Sequence, residues 1–379
     1  MRSTCAVVIG LVWLTLYPCV LNAEDSAFTI GGTMEARPFV RFSAQSEGFF
    51  DTADYGSVTG ISLDIDAKGP GARAYASLEA SLSTGAAASE AWAAAALANM
   101  PGFEAGDLLM APAYSEGETA PSRLVQARIR ALYVKLDRDW VSLTAGRQII
   151  KYQCAALWSP TDVYTDLDLS GISPLRRGLD ALRLSFPLGA TSELDLAWAG
   201  DANFAEGRCS ARLSGLVWGI DAALIGYRDG RPGAAGGGSW NAGLALGADI
   251  GLAIDAEALV TLPDSGDSWL RAALGADYSI GRLVVAAEYY YNGGGPQADL
   301  ATPGTHNAYL AVSLKAAELL SIGAAGIVGL SNDTWKTSCT ATISAAQNAD
   351  LGCFIMLSSS AGAWDTTILD SGISLTVKF

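Results

Sequence analysis

The chain has 379 residues, 50% of them hydrophobic and 17% charged, with a formal net charge of −15. That balance excludes a disordered chain, which needs low hydrophobicity and high charge, and its acidity argues against nucleic-acid binding, since neutralising phosphates takes a basic surface. Mean hydropathy is +0.26, yet beyond the N-terminus no stretch approaches the ~18–20 unbroken apolar residues of a membrane helix. A chain this apolar without such a segment points to alternation along many strands.

Residues 1–23 read as a secretory signal. Arg2 supplies the positive start, Cys5 to Leu21 an apolar run, and Ala23 a small residue followed by Glu24 and Asp25. Pro18 and the acidic flank argue against an uncleaved anchor, and Pro18 also fits poorly before a lipid-bearing Cys19. Four cysteines remain, Cys154, Cys209, Cys339 and Cys353, with no CxxC spacing, so zinc is not expected. Export makes disulfides the natural use of an even number.

From residue 36 onward, segments of period two alternate with two kinds of connection. Short ones fall at Asp137–Asp139, Pro187–Gly189, Asp249–Gly251, Ser279–Gly281 and Ala316–Ala317. Longer, more polar ones cover 83–122, 150–178, 229–238, 293–304 and 331–366. Sixteen strands are expected: 36–46, 56–66, 72–82, 123–136, 139–149, 179–187, 192–200, 208–214, 217–228, 239–249, 252–262, 268–279, 282–293, 305–316, 318–330 and 367–379. Segments 28–34 and 351–358 are the best candidates for extra strands, so the count spans about 14–18. Residues 24–379 thus read as one all-β, antiparallel up-and-down transmembrane barrel, with long loops 83–122, 150–178 and 331–366.

Side-chain parity supports lipid outside and water inside. In 282–293, Val285, Ala287, Tyr289 and Tyr291 oppose Glu288, Tyr290 and Asn292; in the last strand Leu369, Ile373, Leu375 and Val377 oppose Asp370, Ser374, Thr376 and Lys378. Lipid forbids an open sheet, because unpaired edge amides cost several kcal/mol there, so the first and last strands must close the ring. Tyr133, Trp140, Phe186, Trp218, Trp240, Trp269, Tyr278, Tyr289 and Tyr291 are the candidates for interfacial girdles.

The same parity places Arg128, Arg130 and Arg183 in the bore on one wall, and Asp255, Glu257, Asp277 and Glu288 in it on the other. Two outcomes follow from that pattern: a transverse field that favours polar or zwitterionic solutes, or local pairing such as Arg183 with Asp195. The run from Glu90 to Met100 is a helix by propensity, and an apolar helix in a loop must bury itself. Insertion into the bore is favoured over capping the rim. With all four cysteines on the loop side, Cys339–Cys353 is the first expected disulfide and Cys154–Cys209 the second.

No nucleophile motif occurs, and a Ser–His hydrolase would depend on the single His306, which reads better as a surface histidine. Gly233–Gly238 lacks the Lys-Ser/Thr of a phosphate loop. Neither an enzyme nor a bound cofactor is expected.

Two segments resemble known families. The last strand, ending in Phe379 after alternating apolar residues, resembles the signal read by the bacterial barrel-assembly machinery. The stretch Thr144-Ala-Gly-Arg-Gln-Ile-Ile-Lys-Tyr-Gln with Leu157-Trp-Ser-Pro-Thr-Asp-Val resembles the GRQ…W…PTD pattern of porin-like outer-membrane barrels, including the alginate-export-like group. It departs at Gln153-Cys154, where that group more often carries Gly after the aromatic residue. The resemblance implies a Gram-negative outer-membrane location with extracellular loops, and passage of small polar solutes. A surface adhesin with an occluded bore is the alternative. Outer-membrane lipid and the assembly machinery are the implied partners. A homotrimer stays open, with no signature in the sequence. By parity Arg147 faces lipid while Gln148 faces the bore, and Asp162 is the natural partner for Arg147 at the outer rim.

Overall fold

The computed structural model describes residues 27–45, 48–98, 107–115, 120–152, 154–164, 178–200, 207–231, 238–294, 304–359 and 367–379. The expected leader and the Gly233–Gly237 run lie outside these residues. The strands are β1 (Ala27–Gln45), β2 (Gly48–Gly69), β3 (Ala72–Gly85), β4 (Asp107–Ala113), β5 (Arg123–Arg138), β6 (Val141–Gln148), β7 (Leu179–Pro187), β8 (Ser192–Ala199), β9 (Arg208–Val217) and β10 (Ile220–Asp229). They continue as β11 (Ser239–Asp249), β12 (Ala253–Pro263), β13 (Trp269–Ile280), β14 (Leu283–Asn292), β15 (His306–Lys315), β16 (Leu320–Gly329), β17 (Thr334–Ala346), β18 (Ala349–Ser359) and β19 (Thr367–Lys378). One helix, α1 (Ala86–Ala98), follows β3.

Eighteen of these strands form a closed antiparallel ring, each paired to its chain neighbour, with β3 pairing to β5 and β19 to β1. β4 adds to β5, with Met110 opposite Gln126, and lies outside the ring. At the seam Met34 faces Val377, and Gly32 and Phe379 exchange backbone hydrogen bonds of 2.9 and 3.0 Å. A Cβ on Gly32 would fall 2.6 Å from the Phe379 ring, so the glycine is a notch for that side chain. Short turns gather at one end and long connections at the other. The two-residue turn Trp218-Gly219 has φ of 53° and 83°, the left-handed pair that matches strand twist.

The ring has two more strands than the sixteen expected, because segment 331–366 is not one long loop. It contains the whole β17–β18 hairpin, whose second strand extends the anticipated 351–358 strand to Ala349–Ser359. Each of the sixteen expected strands is present, most with small shifts at their ends; β1 and β2 begin well before the expected 36 and 56, at Ala27 and Gly48, so segment 28–34 is the beginning of β1. Loop 83–122 likewise carries α1 and β4.

Exposed apolar side chains belt the outer surface: Leu182, Leu196, Leu213, Leu224, Val260, Leu274, Leu310, Ile355 and Ile373 all point outward. This inverts a soluble sandwich and is the arrangement of a barrel set in hydrocarbon. Trp140, Phe186, Trp218 and Tyr278 lie on or near the short-turn end, and Trp240, Tyr289 and Tyr291 lie near the long-loop end. Two girdle candidates point inward instead. Tyr133 packs on Tyr75 at 5.4 Å, and Trp269 sits opposite Thr261, whose hydroxyl donates inward to Asn241.

All four cysteines are free thiols. The two expected disulfides are absent for a reason of place. Cys339 and Cys353 lie within β17 and β18, opposite Ile355 and Ala341, on the lipid-facing side. Cys209 also faces outward, alongside Leu213, whereas Cys154 lies inside the bore.

Candidate functional site

The segment after β6 turns into the barrel and its described residues, 149–152 and 154–164, run along the inner wall as a strap, from β8 to β16. It has no regular secondary structure, so its amides need acceptors from the wall. Two glutamates supply them. Glu257 on β12 accepts the backbone N–H groups of Cys154 (2.9 Å), Ala155 (3.0 Å) and Thr161 (3.1 Å) and the hydroxyls of Ser159 and Thr161. Glu288 on β14 accepts the N–H groups of Leu157 (2.9 Å) and Trp158 (2.6 Å). Both carboxylates are buried although they project into the bore.

Aromatic rings complete the seat. Trp158 stacks on Tyr290 at 5.4 Å and 19°, with Tyr309 edge-on at 6.3 Å. Tyr164 meets Tyr152 and Tyr227 edge-on, and its hydroxyl donates to the Ala197 carbonyl. Arg208 lies over the Tyr164 ring and Arg212 over the Tyr152 ring, both near 5.5 Å or closer. The two buried apolar clusters among the described residues each contain strap side chains, so the packed core lies between strap and wall. Burial pushes the Tyr164 hydroxyl up to about 12 and raises that of Tyr152. Burial, then a hydrogen bond to Asp255 at 3.3 Å, pushes the Cys154 thiol up to about 12.

The expected pore residues separate into two groups. Asp255, Glu257, Asp277 and Glu288 face inward on β12, β13 and β14, and three of them are taken up by the strap. On the other wall the cations pair locally. Arg128 bonds Glu79 of β3 at 2.9 Å, and Arg183 bonds Asp195 of β8, its Nε at 2.6 Å. Arg130 is the extra residue of a bulge where Ser77 and Leu78 of β3 oppose Ala131 and Ile129, and it is exposed. Further inward pairs are Arg73–Asp66, Arg37–Glu35 and Arg41–Asp370, the last joined by Glu90 of α1. On the cationic wall the bore therefore contains local pairs, while among the described residues the acids of β12, β13 and β14 have no ion pair.

Arg147 keeps the outward parity expected of it, but its partner is not Asp162. It forms a two-point bond to Asp180 of β7, at 3.0 and 2.8 Å, near the long-loop end. Asp162 instead accepts the Tyr152 N–H at 2.9 Å and braces the strap. A lipid-facing arginine is tolerable when it is neutralised at the rim. His306 is also at this rim and faces outward, with Tyr289 Oη 2.6 Å from its Nδ1. The helix expected to enter the bore packs on β2, β3 and β5, with the Ala87 amide near the inward-facing Gly56.

Sequence reasoning did not find the strap. Its one available signal was a pair of inward glutamates two strands apart, with Arg271 of β13 the one cation on the three strands.

No family model matches the chain, and no curated protein matches it. Solved structures do. OpdQ of Pseudomonas aeruginosa superposes with a TM-score of 0.59 at 9% identity, over 94% of this chain and 99% of that one. OprD of Pseudomonas aeruginosa gives 0.56 at 12%, covering 94% and 95%. OccAB4 of Acinetobacter baumannii gives 0.58 at 8%, covering 94% and 100%. Identity at this level establishes a common fold, the eighteen-strand closed barrel.

Proposed function

We propose that this protein is a porin-like channel of a Gram-negative-type outer membrane that passes small polar solutes through its bore, and that it is not an enzyme. The observation that carries this is the strap. A barrel serving only as a membrane anchor has no need to fold a loop inward and hold it with seven donors on two buried carboxylates. A channel does, because a bore lined by ion pairs and partly filled by a fixed segment selects by size and polarity. The likeness to OprD and to the Occ-named structures supports the same reading. Phe379, seated at the seam, suits recognition by the barrel-assembly machinery, and the apolar belt suits outer-membrane lipid as the surrounding solvent.

The strap also admits a second reading, a surface-exposed barrel with an occluded bore. One experiment separates the two. Folded protein, verified by heat-modifiable gel migration, is added to planar bilayers. Discrete ohmic steps are expected. A correctly folded protein that produces no steps fits the occluded barrel and overturns the channel.

A further inference from the structure

We propose that Glu257 and Glu288 form a proton-sensitive latch, so that the strap lies against the wall at neutral pH and swings into the bore in acid. The inference builds on the channel reading, but its physical content, release of the strap, can be measured without any current.

The argument begins with what faces the two carboxylates. Around Glu257 stand Asp255 on its own strand, Asp277 and Arg271 on β13, the arginine one inward position from the Ala273 that pairs with Glu257, and Cys154, Ser159 and Thr161 of the strap. Around Glu288 stand Glu257, Tyr309 of β15 and the amides of Leu157 and Trp158. Asp221 of β10 adds negative charge near Cys154. Among the described residues no Lys or Arg forms an ion pair with either glutamate, whereas the acids of the opposite wall are matched by arginines. The strap is therefore held by charge-assisted hydrogen bonds from neutral donors to carboxylates that repel one another.

Such bonds are about twice as strong as neutral ones, and the advantage disappears on protonation. Protonation also converts an acceptor oxygen into a donor that faces another donor. No ion pair to arginine resists that change here. The sign follows directly: docking is complete when both carboxylates are ionised and is lost as pH falls. The rest of the strap offers little alternative anchorage over 154–161, where Trp158 on Tyr290 is the main apolar contact.

The test uses the full chain in two measurements. Single-channel current of the wild type is recorded from pH 7 to pH 4, and that of Glu257→Gln/Glu288→Gln at pH 7. Brief closures that appear in the wild type only in acid, and in the variant already at pH 7, are expected. Separately, Cys154 is labelled at pH 7 with a charged maleimide in a background of Cys209→Ser, Cys339→Ser and Cys353→Ser. The docked thiol is a poor nucleophile, so undocking is expected to speed labelling at least about tenfold in the double glutamine variant. Equal labelling rates, or closures that ignore both pH and the substitutions, overturn the latch. A labelling contrast with no current at all keeps the latch and overturns the channel. Should the double variant fail to assemble, Glu288→Gln alone leaves the five donors on Glu257 in place and carries both comparisons with a smaller shift.

Discussion

Two segments enter the barrel from its long-loop end, and they are held by opposite means. Helix α1 satisfies its own backbone and needs little from its surroundings, and among the described residues its ionic tie to the wall is Glu90 to Arg41. The strap satisfies only the N–H groups of Tyr152, Asp162 and Val163 from within, among those described, so the wall must provide acceptors for Cys154, Ala155, Leu157, Trp158 and Thr161, and Glu257 and Glu288 do. An irregular segment inside a barrel thus imposes residues on strands far away in sequence: Ala155 and Glu257 are 102 positions apart. A helix makes no such demand.

Three substitutions bear on this contrast. Glu257→Ala strands five donors, at about 1–3 kcal/mol for each one left buried without a partner, and should abolish hydrogen-exchange protection across 154–161 while α1 is unaffected. Persistent protection there would mean the strap is held by its rings. Trp158→Ala removes a stack worth about 0.5–1.5 kcal/mol beyond its burial. The strap should stay docked, and because less of the bore is filled, unitary conductance should rise. Glu90→Gln should do least, about 0–1 kcal/mol, since its side chain is exposed, and its effect should fade in high salt. Exchange measured over α1 would register it. A change in the strap as well would show that the two insertions are coupled.

Much of this architecture was legible in residue order, because lipid on one side and water on the other force a two-residue period. Strands 239–249 and 179–187 match residue for residue. The β17–β18 hairpin was obscured on both faces. β17 shows lipid Thr337, Cys339 and Ala341, too mild for a clear apolar stripe, and β18 turns Phe354 and Met356 toward the bore. Pairing of Arg183 with Asp195 could be anticipated because it links adjacent strands. Pairing of Arg147 with Asp180 could not, because residues 149–178 intervene and the nearer Asp162 competed. That the alanine-rich helix turns inward could be anticipated from its apolar composition. That the strap does so as well could not, because the deciding factor there is where backbone donors find acceptors, and that appears only once the strands are in register.

The seam between β1 and β19 has a consequence for how the molecule is made. Arg41 meets Asp370 across it, partners separated by 329 positions, and the Phe379 ring fills the notch at Gly32. Contacts this remote in the chain cannot form until nearly the whole polypeptide is in hand, so ring closure comes late and slowly. Until then β1 presents a long unsatisfied edge, which any nascent copy of the same sequence could capture. Safe biogenesis of this barrel therefore requires something to shield its opening strand while the remainder is threaded.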